Sequence, residues 1–276
     1  MCRFFCTAVA AVAAVGLASI ASAADMPVKA PAYKAPATVA AYNWTGLYVG
    51  GNVGYGWGGN TGSQWDNFTD PPPFPIFGAA NYFAAGGNVL PGVKPDGIIG
   101  GGQIGYDWQI SPQWVLGVVA DFQASDMHGS ASVAVTPPGG FVNTVQRNSA
   151  KIEWFGTVRG RVGYAANNWL IYGTGGLIYG KVKSDVALDC AACGPPLFYA
   201  GQTSSPKTGW TAGGGIDFGL TPNWSIGAEY LYFDLGNVSM TAVLTSGAVT
   251  RATFTANSEF TGHIVRATVN YRFAAH

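Results

Sequence analysis

The stretch that decides the fold is KIEWFGTVRGRVGY, residues 151–164, because its side chains change character from each residue to the next. One parity is mainly polar and contains Lys151, Glu153, Thr157, Arg159 and Arg161. The other parity is large and apolar and contains Ile152, Trp154, Val158, Val162 and Tyr164. A period of two is typical of a β-strand whose two faces have different surroundings. Which face points inward has to be inferred from the rest of the chain.

The composition is unusual for a soluble globular domain. Charged residues make up 10% of the chain and aromatic residues 13%, and 40 of the 276 residues are glycine. Ordinary domains carry about 25% charged residues. The formal net charge is zero, so there is no reason to expect a nucleic-acid partner. These proportions argue against a disordered tail and against a globule with a polar surface.

The first residues indicate export. Arg3 precedes an almost uncharged run over residues 4–20, and the small-residue triplet ASA follows at residues 21–23. This order predicts a secretory signal peptide over residues 1–23, because a positive start, a short apolar middle and an A-x-A site are its parts. The next segment, residues 24–42, is rich in Pro and Ala and is expected to form an extended tail.

Alternation of period two recurs along the chain and predicts eight strands. They span residues 44–57, 97–110, 114–125, 151–165, 169–183, 208–220, 224–235 and 259–273. In strand 169–183 both parities are about equally apolar, and Lys181 and Lys183 favour odd-numbered residues inside a barrel or above a membrane. The pattern therefore predicts an all-β fold.

The connections between these strands alternate in length. Residues 111–113, 166–168 and 221–223 are very short connections, and Trp114, Trp169 and Trp224 follow them 55 residues apart. The long connections span residues 58–96, 126–150, 184–207 and 236–258. Short and long connections are thus expected at opposite ends of an antiparallel up-and-down sheet.

The whole set of strands indicates which face meets which surroundings. Aromatic residues concentrate near strand ends on the apolar parity, as in the two girdles that a transmembrane barrel presents to lipid. The predicted girdle residues are Trp108, Trp114, Trp154, Tyr164, Trp210, Phe218, Trp224, Tyr230, Tyr271 and Phe273. A sheet in lipid must close on itself, because no water is present to satisfy its edges. We therefore predict an eight-stranded antiparallel transmembrane β-barrel over residues 43–273, followed by a C-terminal extension at 274–276. A soluble exported barrel of lipocalin type is the alternative.

The polar parity then fills the interior. Five cations and five anions are expected to form a charge network, because matched charges offset the cost of taking each other out of water. They are Asp107, Asp121, Lys151, Glu153, Arg159, Arg161, Asp217, Glu229, Arg266 and Arg272. Eight strands leave a barrel only wide enough for such side chains to fill.

Five segments together resemble a known family of small outer-membrane β-barrels or surface antigens, often called porin-like, that is common in alphaproteobacteria. They are YNWTGLYVGGNVGYGWG (42–58), TVRGRVGY (157–164), WLIYGTGGLIYG (169–180), WSIGAEYLYFDLG (224–236) and ATVNYRF (267–273). The resemblance implies eight strands in the outer membrane, with the tail and both chain ends in the periplasm and long loops outside the cell. It also implies a terminal aromatic residue that the barrel-assembly machinery reads, matched here by Tyr271 and Phe273.

Three short motifs resemble sites of chemistry. GGGQIG at residues 100–105 satisfies a dinucleotide-binding pattern, but no helix follows it, so glycines in a curved strand explain it better. His128 and Ser130 resemble the H-x-S pattern of some lipid deacylases, yet only Asp126 is near as an orienting acid. Cys190 and Cys193 are expected to form a disulfide in an outside loop, because the protein is exported and zinc would need further ligands.

These observations predict a protein without catalysis, cofactor or metal. Its expected work is structural and interfacial, with partners in outer-membrane lipid, lipopolysaccharide, the assembly machinery and surface or host ligands. The aromatic and Pro-rich loop at residues 70–87 supports a contact role. A narrow porin for small solutes is the first alternative, and a lipid-modifying envelope enzyme is the second.

Overall fold

The structure is a computed structural model that describes residues 42–61, 65–69, 90–135, 144–190, 197–246 and 249–273. The predicted signal peptide, almost all of the predicted tail and the extension at 274–276 lie outside the described residues. The aromatic loop at 70–87 lies outside them as well. These four predictions therefore stay predictions.

The described residues form nine β-strands in one antiparallel sheet. They are β1 (Gly46–Gly58), β2 (Trp65–Thr69), β3 (Asp96–Gln109), β4 (Trp114–Val135), β5 (Thr144–Ala166), β6 (Trp169–Cys190), β7 (Leu197–Gly219), β8 (Trp224–Ser246) and β9 (Val249–Arg272). Because β1 pairs with both β3 and β9, eight strands close into a ring, and the short β2 pairs with β9 beyond it. The predicted eight-stranded closed barrel is confirmed. Among the described residues, no helix is long and apolar enough to cross a membrane.

Six strands are longer than the sequence predicted, by 7 to 11 residues each. β4 to β9 each run for 22 to 24 residues. The predicted long loops at 126–150, 184–207 and 236–258 are mostly paired strand, and β5 and β6 stay paired as far as Val145 and Asp189. The loop prediction was wrong here because the apolar alternation fades where strands pair outside a membrane. We call this side of the barrel the hairpin end and the side with the three short connections the turn end.

Bulges interrupt the pairing partway along three strands. The pairing shifts between Ala124 and Met127 on β4, between Ile152 and Trp154 on β5, and between Asp234 and Asn237 on β8. On β4 the odd-numbered residues stay buried on both sides of the shift. On β5 and β8 one extra residue turns the residues beyond it to the opposite face. This is why Ile152, predicted on the outer face, is only 2% exposed inside the barrel.

The interior is filled in three layers. At the turn end, an apolar cluster contains Tyr42, Trp44, Val115, Ala165, Leu170 and Tyr172. The middle layer is ionic and is described below. Towards the hairpin end, a larger apolar cluster includes Ile99, Met127, Phe155, Ile178, Leu231, Phe233 and Phe260. The two apolar layers were not predicted from the sequence, and Tyr42, assigned to the tail, packs inside the barrel.

Candidate functional site

The centre of the interior is a group of two arginines held between two carboxylates. Arg159 donates from Nη1 to Glu229 Oε1 at 2.7 Å and from Nη2 to Asp121 Oδ2 at 3.0 Å. Arg266 donates to the same two carboxylates, from Nε to Glu229 Oε2 at 2.7 Å and from Nη2 to Asp121 Oδ2 at 2.9 Å. Thr157 adds a hydroxyl hydrogen bond to Asp121 at 2.7 Å. All five side chains are buried.

A second ionic group lies next to it, nearer the turn end. Asp107 accepts hydrogen bonds from Arg161 Nε at 2.7 Å and from Arg272 Nη2 at 2.8 Å, and Arg161 Nη1 also reaches Asp217 at 3.3 Å. The Tyr48 ring lies between the two guanidinium groups, with its centroid 4.9 Å from Arg161 Cζ and 5.1 Å from Arg272 Cζ. Cations over a ring face are attracted by its quadrupole.

Aromatic partners of the arginines were not foreseen from the sequence. Besides Tyr48, Tyr172 lies 5.0 Å from Arg161 and Trp44 lies 5.6 Å from Arg272. The sequence does contain a signal for inward aromatic residues on β1, because Trp44 and Tyr48 share a parity opposite to the outward Leu47 and Val49. An inward aromatic residue in a barrel of this width needs glycine opposite it. A Cβ on Gly105 would lie only 2.4 Å from the Tyr48 ring.

The structure brings together eight of the ten residues predicted for the interior network. They are Asp107, Asp121, Arg159, Arg161, Asp217, Glu229, Arg266 and Arg272. Four guanidinium groups face four carboxylates, so the set can be electrically neutral as a whole. Guanidinium groups and carboxylates match each other's geometry through paired hydrogen bonds. The arrangement binds strand to strand across the lumen.

Lys151 and Glu153 are the two exceptions, and for them the prediction was wrong. Lys151 points outward and lies 3.8 Å from the exposed Asp126. Glu153 lies at the bulge on β5 and accepts from Lys183 Nζ at 2.7 Å and Lys181 Nζ at 3.2 Å. Strand β6 has its even-numbered residues inside, so Lys181 and Lys183 are outward as well. The sequence could not show this, because the bulge is a feature of the backbone.

Aromatic residues form two bands on the outer face. Trp108, Trp114, Tyr164, Phe218, Trp224, Tyr271 and Phe273 lie at the turn end, where Trp169 joins them against Phe218 with ring centroids 4.6 Å apart. Trp154, Trp210 and Tyr230 lie nearer the hairpin end, joined by Trp57, Phe122, Tyr179, Tyr232 and His263. Both bands contain predicted girdle residues, and the prediction missed Trp169 because the parity of β6 was ambiguous.

The surface between the two bands is apolar. Its exposed residues include Val53, Ile104, Leu116, Val118, Val158, Val162, Leu177 and Val269. Among the outward residues that the structure describes there, none is Asp, Glu, Lys or Arg. Trp224 and Tyr232 are eight residues apart, which corresponds to roughly 20 Å of height at about 3.3 Å per residue and a tilt of about 40°. This is the belt of a strand that crosses a bilayer.

The motifs weighed for chemistry do not assemble a site in the described residues. His128 and Ser130 both lie exposed on β4, and His128 Nδ1 contacts the backbone oxygen of Asp126 at 2.7 Å. GGGQIG lies within β3, where Gly101 and Gly105 approach neighbouring atoms closely. In the described part of the chain, no three His, Cys, Asp or Glu side chains are grouped to hold a metal. Cys190 ends β6, but its side chain and Cys193 lie outside the described residues, so the disulfide stays a prediction.

A closed antiparallel barrel with a neutral ionic interior, an apolar outer belt and two aromatic girdles defines a class: the transmembrane β-barrels of outer membranes. The chain belongs to the outer membrane protein beta-barrel domain family, whose model matches residues 10–273. The predicted family and its outer-membrane location are thereby confirmed.

Curated relatives agree with this assignment. The chain is 38% identical over 259 residues to the 31 kDa outer-membrane immunogenic protein of Brucella melitensis, covering 93% of this chain and 95% of that protein. It is 37% identical over 137 residues to the 22 kDa outer membrane protein of Rhizobium leguminosarum, covering 49% and 52% of the two chains. Among solved structures, the outer membrane protease OmpT of Escherichia coli aligns with a TM-score of 0.44 and 12% identity over 84% of this chain and 98% of that chain. A likeness that distant carries no argument about function.

Proposed function

We propose that this protein is a non-catalytic barrel that reinforces the outer membrane and presents its hairpin end at the cell surface. The observation that carries the proposal is the filled interior, in which a neutral ionic layer lies between two apolar clusters. Side chains that bind one another across the lumen stiffen the wall and leave little space for a solute. The partners are outer-membrane lipid and lipopolysaccharide, ligands at the surface, and the assembly machinery through the end of β9.

The orientation is part of the same proposal. Tyr42 and Phe273, the two ends of the described barrel, both lie at the turn end. In barrels of this class the short turns are periplasmic and the longer connections extracellular. The chain ends are accordingly periplasmic, and the extended hairpins of β4 to β9 rise outside the cell.

Cysteine labelling on intact cells tests the orientation. The variants Ser132→Cys, exposed at the hairpin end, and Thr221→Cys, exposed at the turn end, are built with Cys190 and Cys193 replaced by Ser. A membrane-impermeant maleimide should label the first variant in intact cells and the second only after the cells are broken. The reverse pattern would refute the proposed orientation.

Electrical recording tests the absence of a pore. The purified barrel in planar bilayers is expected to give no stable openings above background, because the arginine–carboxylate layer crosses the lumen. Reproducible unitary currents would instead favour a narrow porin. A matched comparison of lipid A masses from cells with and without the protein addresses the enzyme alternative, and we expect identical spectra.

A further inference from the structure

Three outward lysines lie at one height and on one side of the barrel. Lys181 follows Tyr179 of the hairpin-end girdle by two residues, or about 7 Å of strand. Lys151 and Lys183 are direct partners in the pairing of β5 with β6, so they share one outward row just beyond Lys181. This is the level at which lipid headgroups meet a transmembrane barrel, beyond the aromatic girdle.

The opposite side of the barrel differs at this height. Among the side chains that the structure describes beyond the girdle, β8 and β9 present Asp234 and Glu259 and no Lys or Arg. The cations are therefore not a uniform collar around the barrel. Three of them form a patch, defined here as the lysine patch: Lys151, Lys181 and Lys183.

The patch keeps binding capacity although it has acidic neighbours. Hydrogen bonds from Lys183 and then Lys181 hold the pKa of Glu153 below its ordinary value, so this one carboxylate stays ionised and positions both ammonium groups. Lys151 lies 3.8 Å from Asp126, whose side chain is 72% exposed. Each ammonium group has three donors, so the two carboxylates leave several donors of the three lysines unused.

A polar groove adjoins the patch. It has a volume of about 730 Å³ and is lined by residues of β4, β5, β6 and β7. Ser130, Ser149, Asp185 and Gln202 form one of its rows through direct strand pairing, two residues beyond the row of Lys151 and Lys183 and on the same face. Hydroxyl, amide and carboxylate groups can donate to or accept from sugar hydroxyls.

We propose that the lysine patch and this groove together bind a phosphorylated glycolipid of the outer leaflet, the chemistry of lipopolysaccharide. The lysines take the phosphate groups, and the row Ser149, Asp185 and Gln202 takes sugar hydroxyls beyond them. Basic pockets at the headgroup level of membrane proteins bind anionic lipid in this way. The inference rests on the proposed orientation, because only one leaflet of an outer membrane carries such a lipid.

Titration of the purified, folded barrel with lipopolysaccharide tests the proposal, with binding followed by native mass spectrometry in detergent. The triple variant Lys151→Gln, Lys181→Gln, Lys183→Gln should bind at least about tenfold more weakly, since each lysine near a lipid surface is worth on the order of a fivefold change. The control is Lys207→Gln. Lys207 pairs with Gly180, next to Lys181, but belongs to the inward parity and donates to Asn237 O at 3.0 Å.

Two further measurements separate recognition of the sugars from recognition of the phosphate charge. The variant Ser149→Ala, Gln202→Ala should weaken binding of full lipopolysaccharide more than binding of lipid A without core sugars. Phosphatidylglycerol should compete poorly with lipopolysaccharide for the wild type. The proposal is overturned if the triple variant binds like the wild type, if Lys207→Gln is equally damaging, or if phosphatidylglycerol competes as well as the glycolipid.

Folding of every variant is checked by the different migration of boiled and unboiled protein on a gel. If the triple variant does not fold, Lys181→Gln and Lys183→Gln are tested singly, each with an expected loss of about fivefold. Unchanged binding in both single variants would overturn the proposal. Loss of this lipid site would leave the closed barrel intact, whereas channel currents or reversed labelling would refute the proposed function itself.

Discussion

At the scale of single residues, the interior arginines depend on carboxylates that they share. Glu229 accepts hydrogen bonds from both Arg159 and Arg266, and all three side chains are buried. Removing one partner from such a group leaves a buried charge without compensation, which costs more than the intact pair contributes. The network is therefore sensitive to truncation at any of its shared carboxylates.

We predict that Glu229→Ala lowers the free energy of unfolding by about 3–5 kcal/mol, because two buried guanidinium groups lose their common acceptor. Urea unfolding of the refolded barrel in lipid vesicles measures this change. Glu153→Gln is the control, since Glu153 also accepts from two cations but lies near the surface. It should lose much less stability, and equal losses would contradict the network as a stabilising element.

A second residue-scale prediction concerns Gly105, whose added Cβ would lie 2.4 Å from the Tyr48 ring and 2.7 Å from Val118 O. Tyr48 cannot move freely, because it is held between two guanidinium groups. Gly105→Ala should destabilise the barrel by about 1–3 kcal/mol through overpacking. Gly102→Ala, whose Cβ meets nothing closer than 3.7 Å, should be nearly neutral in the same unfolding assay.

At the scale of strands, the bulges decide which side chains enter the barrel. The extra residue at Glu153 lets Ile152 point inward and Lys151 outward. If β5 instead alternated regularly through Glu153, the pattern established by Arg159 and Arg161 would carry Lys151 into the apolar cluster. A single inserted residue thus separates a membrane-facing half of β5 from a half that lies beyond the membrane.

Deleting Glu153 should be tolerated, because it removes only the extra residue of the bulge. Trp154 and Ile152 would become neighbours opposite Lys181 and Val182, with which they already pair, so Ile152 would stay inward and Lys151 outward. We expect the fast-migrating unboiled form on gels for the deletion, as for Glu153→Gln. Loss of that form in the deletion alone would show that the barrel needs the bulge itself.

At the scale of the whole molecule, the barrel is longer than the membrane that it crosses. From Tyr179 in the hairpin-end girdle, β6 continues for eleven residues to Cys190, or about 36 Å of strand path. The paired hairpins extend the wall beyond the lipid. The outer surface therefore changes from apolar to polar at the girdle, with the lysine patch at the boundary.

The membrane belt gives a prediction at this scale. Val118 lies on β4 midway between Trp114 and Phe122, which belong to the two girdles, and is 50% exposed. Val118→Arg should cost about 2–4 kcal/mol in lipid vesicles, because an arginine at the midplane of the bilayer loses its hydration. Ser132→Arg, on the same strand beyond the girdle, should change stability by no more than about 0.5 kcal/mol. An equal cost at both positions would contradict the belt.

Much of the architecture was predictable because a membrane makes strand parity informative. The alternation of polar and apolar residues predicted the eight strands, their order and the closed sheet. It also predicted eight of the ten network residues, among them Arg159 and Arg266. The hairpin extensions were not predictable. Outward residues there, such as Ser149 and Gln202, face a polar environment instead of lipid, so apolar side chains do not mark the outer face. Alternation carries little information where neither side of the strand meets hydrocarbon.

By itself, the sequence determined that this chain is a closed barrel in lipid, since only hydrocarbon outside and side chains inside account for the apolar belt opposite Asp107, Asp121 and Arg161. The tertiary structure alone decided where that pattern stops. Bulges at Glu153 on β5 and between Asp234 and Asn237 on β8 reverse the faces of these two strands, so they place Ile152 and Val238 in the apolar cluster and Lys151 outside. The physical reason is that backbone register depends on pairing with neighbouring strands, and no single strand contains that information.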